Sequence, residues 1–250
     1  NYSSFVKNSY LRSFSGVIWK LLLDPHYQQL ALEVRSEQSL EMFYHVIDLS
    51  SFDEKIVYPP KQVDWWSNLL HAYGSRLFVM QYQDQNNPGP GTFLVYDYNH
   101  EQVEHSKQRV LIDKIEGPVV RGFFTEDDNQ KPFELILDSS DAPYEADYPV
   151  LYPEGTGDFQ TVADFVELQK KMRISLGVEY LEKRGLIVLS YYKKGNKKYD
   201  RYLMVLHNEQ VKLDRKIDSD MNGLSTESFF LFGNKLIFVE ERITLQVYEY

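Results

Sequence analysis

The sequence predicts an all-β protein made of five similar units, and two observations lead to this prediction. First, short apolar stretches rich in β-branched and aromatic residues alternate with polar clusters along the 250-residue chain. Second, these stretches recur at nearly constant intervals of about fifty residues, which is typical of a repeated supersecondary unit. Clusters of Gly, Asn and Pro separate the stretches, as expected for hairpin turns.

The clearest strand of each unit defines the repeat. These strands begin at Leu30, Leu77, Phe133, Leu186 and Leu236, so that consecutive starts are 47, 56, 53 and 50 residues apart. One strand precedes each of them, at residues 17–24, 66–73, 119–124, 175–182 and 228–232. Another strand follows each of them, at residues 42–49, 92–98, 148–152, 201–207 and 244–250.

The fourth strand of each unit is less regular. Residues 54–60, 105–113 and 211–218 are the fourth strands of the first, second and fourth units. The fifth unit lacks one, and the N-terminal residues 1–13 are a spare strand that can complete it. In the third unit, the helical spacing of apolar residues indicates a short helix around residues 162–171 instead.

Five such units arranged radially form a five-bladed β-propeller, which we predict as a single domain over residues 1–250. Each sheet then packs on its neighbours and leaves only short edges, and the 15 Phe and 19 Tyr suit these wedge-shaped interfaces. The N-terminal strand closes the last blade. The blades are predicted at residues 14–60, 64–113, 117–172, 173–218, and 223–250 together with 1–13.

The arrangement of strands resembles that of β-propeller repeat proteins over nearly the whole chain. The family signatures are missing, because none of Trp19, Trp65 and Trp66 is followed by Asp and the Gly-Gly pairs of kelch repeats are absent. The chain is also similar to an uncharacterised bacterial family, a domain of unknown function. This resemblance implies no particular activity, since propellers serve both as enzymes and as binding platforms.

Composition narrows the classes of partner. The chain has no cysteine, so disulfide scaffolds and thiol nucleophiles are excluded. No apolar run approaches the roughly 20 residues of a membrane helix, and the net charge of -10 disfavours nucleic acid and anionic membranes. The histidines are scattered, and we expect no metal and no cofactor. No signal peptide is visible; we expect a monomer and leave the compartment open, with the cytoplasm favoured.

Candidate ligand-binding residues lie where the innermost strands of a propeller begin, around its central channel. Trp65 and Trp66 can stack on a sugar or an aromatic ligand, although neighbours on a strand face opposite ways and packing between blades is the alternative. Arg121 can clamp an anionic ligand, or it pairs structurally with a carboxylate such as Glu179. Arg173 opens the fourth unit and completes this set.

Two hypotheses of function follow from these positions. The leading one is a non-catalytic module that binds a small molecule, a glycan or a protein, because no catalytic constellation is apparent. The alternative is a glycan-acting hydrolase, which needs two carboxyl groups across the channel. The acid and the nucleophile would be two of four candidate residues, which are Asp64, Glu116, Glu179 and Glu227. We leave catalysis undecided and favour its absence. A scaffold with contacts on the outer blade edges is a third possibility.

Overall fold

A computed structural model describes most of the chain as antiparallel β-sheets with one helix. The described residues are 6–57, 65–82, 89–98, 109–125, 131–136 and 145–250, together with the backbone of 102–105. They form four sheets, and none of these four closes on itself. The described part of the chain contains no helix long and apolar enough to cross a membrane.

The strands and the helix follow one another along the chain with these bounds. They are β1 (Lys7–Ser13), β2 (Val17–Asp24), β3 (Gln29–Ser36), β4 (Glu41–Asp48), β5 (Glu54–Val57), β6 (Ser67–Tyr73), β7 (Arg76–Tyr82), β8 (Gly91–Asp97), β9 (Gln102–His105), β10 (Val110–Glu116), β11 (Val119–Phe124), β12 (Pro132–Ile136), β13 (Ala146–Asp147), β14 (Val150–Pro153), α1 (Gly157–Lys170), β15 (Ser175–Lys183), β16 (Leu186–Lys194), β17 (Tyr199–His207), β18 (Gln210–Met221), β19 (Phe229–Phe232), β20 (Lys235–Glu240) and β21 (Thr244–Glu249).

The chain divides into two compact units, one placed within the sequence of the other. The flanking unit comprises Asn1–Ser13 and Glu145–Tyr250, and the inserted unit comprises Phe14–Tyr144. The chain therefore leaves the flanking unit after β1 and returns to it at β13. Each unit has two of the four sheets.

The inserted unit contains a four-stranded sheet, ordered β2-β3-β4-β5, and a larger sheet of seven strands. The larger sheet is ordered β12-β11-β10-β8-β7-β6, and β9 pairs with β8 outside this path. Leu30, Ala31 and Leu32 of β3 are fully buried in succession, so both faces of this strand are covered. Ala31 belongs to a core cluster that also contains residues of β6, β7 and β8, such as Leu69 and Val79. The two sheets of this unit therefore share a core.

The flanking unit has a central sheet with a different partner on each face. This sheet is ordered β14-β15-β16-β17-β18. One face, which includes Val188 and Leu203, packs on Phe229 and Phe238 of the second sheet. The other face, which includes Tyr191, packs on α1. The second sheet is ordered β1-β21-β20-β19-β13.

Helix α1 has a defined start and an amphipathic face. Thr156 is its N-cap, and the Thr156 Oγ1 accepts a hydrogen bond from the backbone N–H of Phe159 at 3.3 Å. Phe159, Val162 and Val166 are buried at helical spacing. The short helix predicted around residues 162–171 is therefore present, and it begins earlier because of this cap.

The predicted five-bladed β-propeller is wrong, although the all-β class agrees with the structure. The error lies in the blade placed at residues 117–172, which forms no sheet of its own. Its strands β11 and β12 extend the large sheet of the inserted unit, because β10 and β11 pair as a hairpin across Gly117 and Pro118. A two-residue turn forces its flanking strands to pair with each other, and Gly117 has the positive φ of 49° that such a turn requires. The chain cannot start a new blade there.

The remaining strands of that predicted blade belong to the flanking unit. Strand β13 pairs with β19, and β14 pairs with β15. The pairing expected between the N-terminal strand and the last strand is observed, since Lys7 of β1 lies opposite Glu249 of β21 and Ser13 opposite Thr244. The sheet that they complete is not a propeller blade.

Candidate functional site

The candidate residues were predicted to surround the central channel of a propeller. The structure forms no propeller, so no such channel brings these residues together. Asp64 lies outside the described residues. Glu116 and Arg121 are exposed on β10 and β11 of the inserted unit. Arg121 pairs with Glu134 on the next strand at 2.7 Å, and not with Glu179. Such exposed pairs contribute little to stability.

Three further candidates lie in the flanking unit. The Arg173 side chain is 89% exposed, and the Glu227 side chain is exposed at a residue with a φ of 57°. Glu179 is buried, with 1% of its surface exposed. These three side chains therefore differ in exposure, and the glycan hydrolase loses the shared location on which it was placed.

Trp65 contributes to a cluster that the sequence did not reveal, which we call the Trp19–Arg35–Trp65 stack. The guanidinium carbon of Arg35 lies 4.8 Å from the ring centroid of Trp19 and 5.4 Å from that of Trp65. Both distances are within the range of a cation–π interaction. Trp66, the other predicted residue, is half-buried at the start of the same segment.

A β-bulge positions Trp19. Ile18 pairs with Val34 and Lys20 with Glu33, so Trp19 is the extra residue of β2 opposite β3. Bulges twist a strand and redirect a side chain. The redirected Trp19 ring packs against Arg35 and remains 54% exposed.

Hydrogen bonds hold Arg35 at all three guanidinium nitrogens. Its Nε donates to Glu33 Oε1 at 2.5 Å, its Nη1 to the Trp65 carbonyl at 3.0 Å, and its Nη2 to the Ser67 carbonyl at 2.5 Å. Glu33 is fully buried, and its Oε2 accepts from the backbone N–H of Leu69 at 2.6 Å. The Arg35 guanidinium is therefore held in place, because it is paired with buried Glu33 and bonded to the backbone of β6 and of the segment before it.

Glu179 in the flanking unit resembles Glu33, because it is a buried glutamate that accepts hydrogen bonds from another segment. Its carboxylate accepts hydrogen bonds from the backbone N–H of Ser228, at 3.2 and 3.3 Å to the two oxygens, and from the Ser228 hydroxyl. The bond joins β15 to the segment that enters β19. Burial raises the pKa of Glu179, while the bonds from Ser228 and the charge of Arg201 act in the opposite direction. This buried carboxyl connects two sheets and does not face solvent.

The central sheet of the flanking unit also contains a buried ion pair. Arg201 of β17 pairs with Asp218 of β18, and their side chains are only 9% and 5% exposed. Burial raises the pKa of Asp218 although Arg201 opposes the shift. Among the described residues, no group of three or more Asp, Glu or His side chains is placed to hold a metal ion.

We expect Glu179 to make stability depend on pH. Because its folded pKa is raised above the unfolded value, its contribution favours folding at low pH and weakens as the pH rises above about 4, the start of unfolded Glu titration. The Glu179→Gln variant should therefore gain stability relative to the wild type between acidic and neutral pH. Thermal unfolding at a series of pH values measures this difference.

The matched control for this prediction is Glu116→Gln, which changes an exposed carboxyl. Its melting temperature should follow that of the wild type at every pH. Parallel profiles for the wild type and Glu179→Gln would show that Glu179 does not titrate differently in the folded chain.

No protein-family model matches the chain, and a search of curated proteins finds no significant match.

Proposed function

We propose that the protein is a non-catalytic binding module that recognises a neutral glycan on the Trp19–Arg35–Trp65 stack. The observation that carries this proposal is an indole that is 54% exposed and packed on a guanidinium whose three nitrogens are all hydrogen-bonded. Because Trp19 already packs on Arg35, its side chain loses little conformational entropy when a ligand binds, and this favours affinity.

The chemistry of the stack favours a sugar ring. An indole offers a flat apolar face with a negative quadrupole, and the C–H groups on one face of a pyranose carry the complementary partial charge. The Trp19 side chain is exposed enough to make such a contact, and Trp65 borders the same guanidinium.

The charges around the stack favour a neutral ligand over an anion. Arg35 is paired with Glu33 and already uses three of its five N–H groups, and its side chain is only 10% exposed, so it is poorly placed to bind a carboxylate or phosphate. The net charge of -10 also repels anions at long range.

The same geometry favours binding over hydrolysis. Glu33, the carboxyl that contacts the stack, is fully buried and both of its oxygens accept hydrogen bonds. A glycosidase needs an acid and a second carboxyl that reach the glycosidic bond from opposite sides. Glu33 cannot reach a sugar that rests on Trp19.

The test is a calorimetric titration with a panel of neutral oligosaccharides: cello-, xylo-, malto- and chito-oligosaccharides of four to six units. We expect the wild type to bind at least one of them. Trp19→Ala should weaken this binding by about tenfold or more, as expected for the loss of about 1.4 kcal/mol of stacking.

Tyr27→Ala is the matched control, because Tyr27 is another aromatic residue of the inserted unit and is 50% exposed. This variant should bind as the wild type does. The proposal fails if no oligosaccharide binds, or if Trp19→Ala binds with the affinity of Tyr27→Ala. Binding of indole-sized aromatic probes alone would also overturn the assignment to glycans.

A further inference from the structure

Strand β1 lies at the edge of the second sheet of the flanking unit, where it covers β21. We propose that β1 is exchanged between two copies of the chain, so that β1 of each copy pairs with β21 of the other in a closed dimer. This inference concerns self-association and is independent of the proposed glycan site.

Little apolar burial holds β1 in place. Five of its seven residues are exposed and two are half-buried, and Leu11 is 58% exposed. Val6, just before the strand, packs partly against the core of the flanking unit. A strand with so little buried apolar surface opens at low cost compared with the central strands, which are buried on both faces.

Hydrogen bonds to β21 help to hold β1. Beyond the backbone ladder, Asn8 Nδ2 donates to Gln246 Oε1 at 2.7 Å and Ser9 Oγ donates to the Val247 carbonyl at 3.0 Å. Ser13 Oγ lies 2.8 Å from Thr244 Oγ1. A second copy offers the same partners in the same register, so exchange replaces each of these contacts by an identical one.

The connectivity of the chain favours this exchange. Residues Ser13 and Thr244 are separated by 231 positions, and the inserted unit folds between them. Only residues 14–16 join β1 to β2, and short hinges of this kind favour exchange of the element that precedes them. Because exchange joins two copies, mass action favours the dimer as the protein concentration rises, and about 1 mM is a suitable concentration at which to test it.

The partner is a second copy, because its β1 brings the register and the side-chain partners that β21 already accepts. An uncovered edge presents unpaired backbone groups and pairs with any available strand. In a reciprocal exchange each copy gives β1 and receives β1, which closes the dimer and leaves no edge for a third copy.

Disulfide cross-linking tests the exchange of β1. Because the chain has no cysteine, every disulfide must come from introduced residues. One variant has Ser13→Cys, and a second variant with a mass tag has Thr244→Cys; both positions lie on the exposed side of the ladder. The two variants are mixed at about 1 mM, because mass action favours a dimer at high concentration. The mixture is warmed below the melting transition, and is then cooled and oxidised. We expect a disulfide-linked heterodimer on a non-reducing gel.

The control replaces the second variant by tagged Thr161→Cys, a position that is exposed on α1. The heterodimer from Ser13→Cys and Thr244→Cys should exceed this control roughly tenfold. The double variant Ser13→Cys/Thr244→Cys, oxidised at low concentration, should form an internal cross-link. Once locked in this way it should remain monomeric by light scattering at concentrations at which the wild type dimerises.

Two results would overturn the proposal. One is a heterodimer yield equal to that of the Thr161→Cys control, together with an efficient internal cross-link in the double variant. The other is a wild-type chain that remains monomeric at about 1 mM after the same warming, because mass action favours the proposed dimer at high concentration.

Discussion

Replacing Arg35 by alanine is expected to cost about 3 to 5 kcal/mol of stability, the usual cost of leaving one member of a buried ion pair alone. The Glu33 side chain is fully buried and that of Arg35 is only 10% exposed. The substitution removes the donor to Glu33 Oε1 and the donors to the Trp65 and Ser67 carbonyls. A buried carboxylate with one oxygen unpaired is then left between the two sheets.

Urea unfolding measures this effect, and Arg121→Ala is its control. Arg121 also pairs with a glutamate, but both side chains are about half exposed, at 52% and 45%. Its loss should leave the urea midpoint nearly unchanged because solvent screens the pair. Equal midpoints for Arg35→Ala and Arg121→Ala would contradict the structural role assigned to the stack.

A double variant separates the stability of the stack from its binding. Glu33→Gln/Arg35→Met removes both charges and keeps similar volumes, and such replacements of buried pairs are often nearly neutral. We expect it to unfold much closer to the wild type than Arg35→Ala does. It should still bind oligosaccharides more weakly than the wild type, because Trp19 loses the guanidinium that orients it.

The second large effect concerns the inserted unit, whose removal should leave the flanking unit folded. The two core clusters described for the flanking unit contain only its own residues, and the two described for the inserted unit contain only residues of that unit. A chain in which residues 14–144 are replaced by a flexible linker should therefore keep the two clusters that pack on the central sheet of this unit. It should unfold cooperatively and keep the dispersed NMR spectrum of a folded β protein.

The linker must cross one sheet. Ser13 ends β1 at one edge, and Ala146 starts β13 at the other edge of the same five-stranded sheet. The registers place Ser13 level with Glu240 and Ala146 level with Lys235, at opposite ends of β20. Four strand spacings of about 19 Å and five residues of rise, about 17 Å, combine to a diagonal of about 25 Å. A Gly/Ser linker of about 22 residues spans about 26 Å on average. A shorter linker would strain β1 away from β21.

The control for this experiment is the same excised chain without β1. It should melt at a lower temperature and aggregate more readily, because β21 becomes an open edge. An excised chain that retains β1 but shows no cooperative unfolding would contradict the independence of the flanking unit.

Sequence periodicity predicted most strands but not their assignment to sheets. Residues 30–34 and 186–192 fall within β3 and β16, because apolar runs bounded by turns report local structure. The predicted boundary between the second and third blades, at Gly117 and Pro118, was wrong. Those two residues form a tight hairpin turn, which joins β10 and β11 in one sheet. A period of about fifty residues does not distinguish a new sheet from an extension of the previous one.

The candidate site was predicted only in part. Trp65 was visible as part of a tryptophan pair, whereas Trp19 and Arg35 come together with it through a bulge in β2 and contacts between distant segments. One signal was present: Glu33 interrupts the apolar run of residues 30–34, and a charge on a buried strand needs a partner. That signal indicates an ion pair without showing that Arg35, two residues later, provides it.

The indole N–H signals of the chain test most directly the proposed contact between a glycan and Trp19. The chain has three tryptophans, so a ¹H–¹⁵N NMR spectrum shows three indole signals, which Trp→Phe variants assign. Titration with the best-bound neutral oligosaccharide should shift the Trp19 signal most and the Trp65 signal less. Saturable binding that leaves the Trp19 signal unmoved, or that shifts Trp66 alone, would contradict the account.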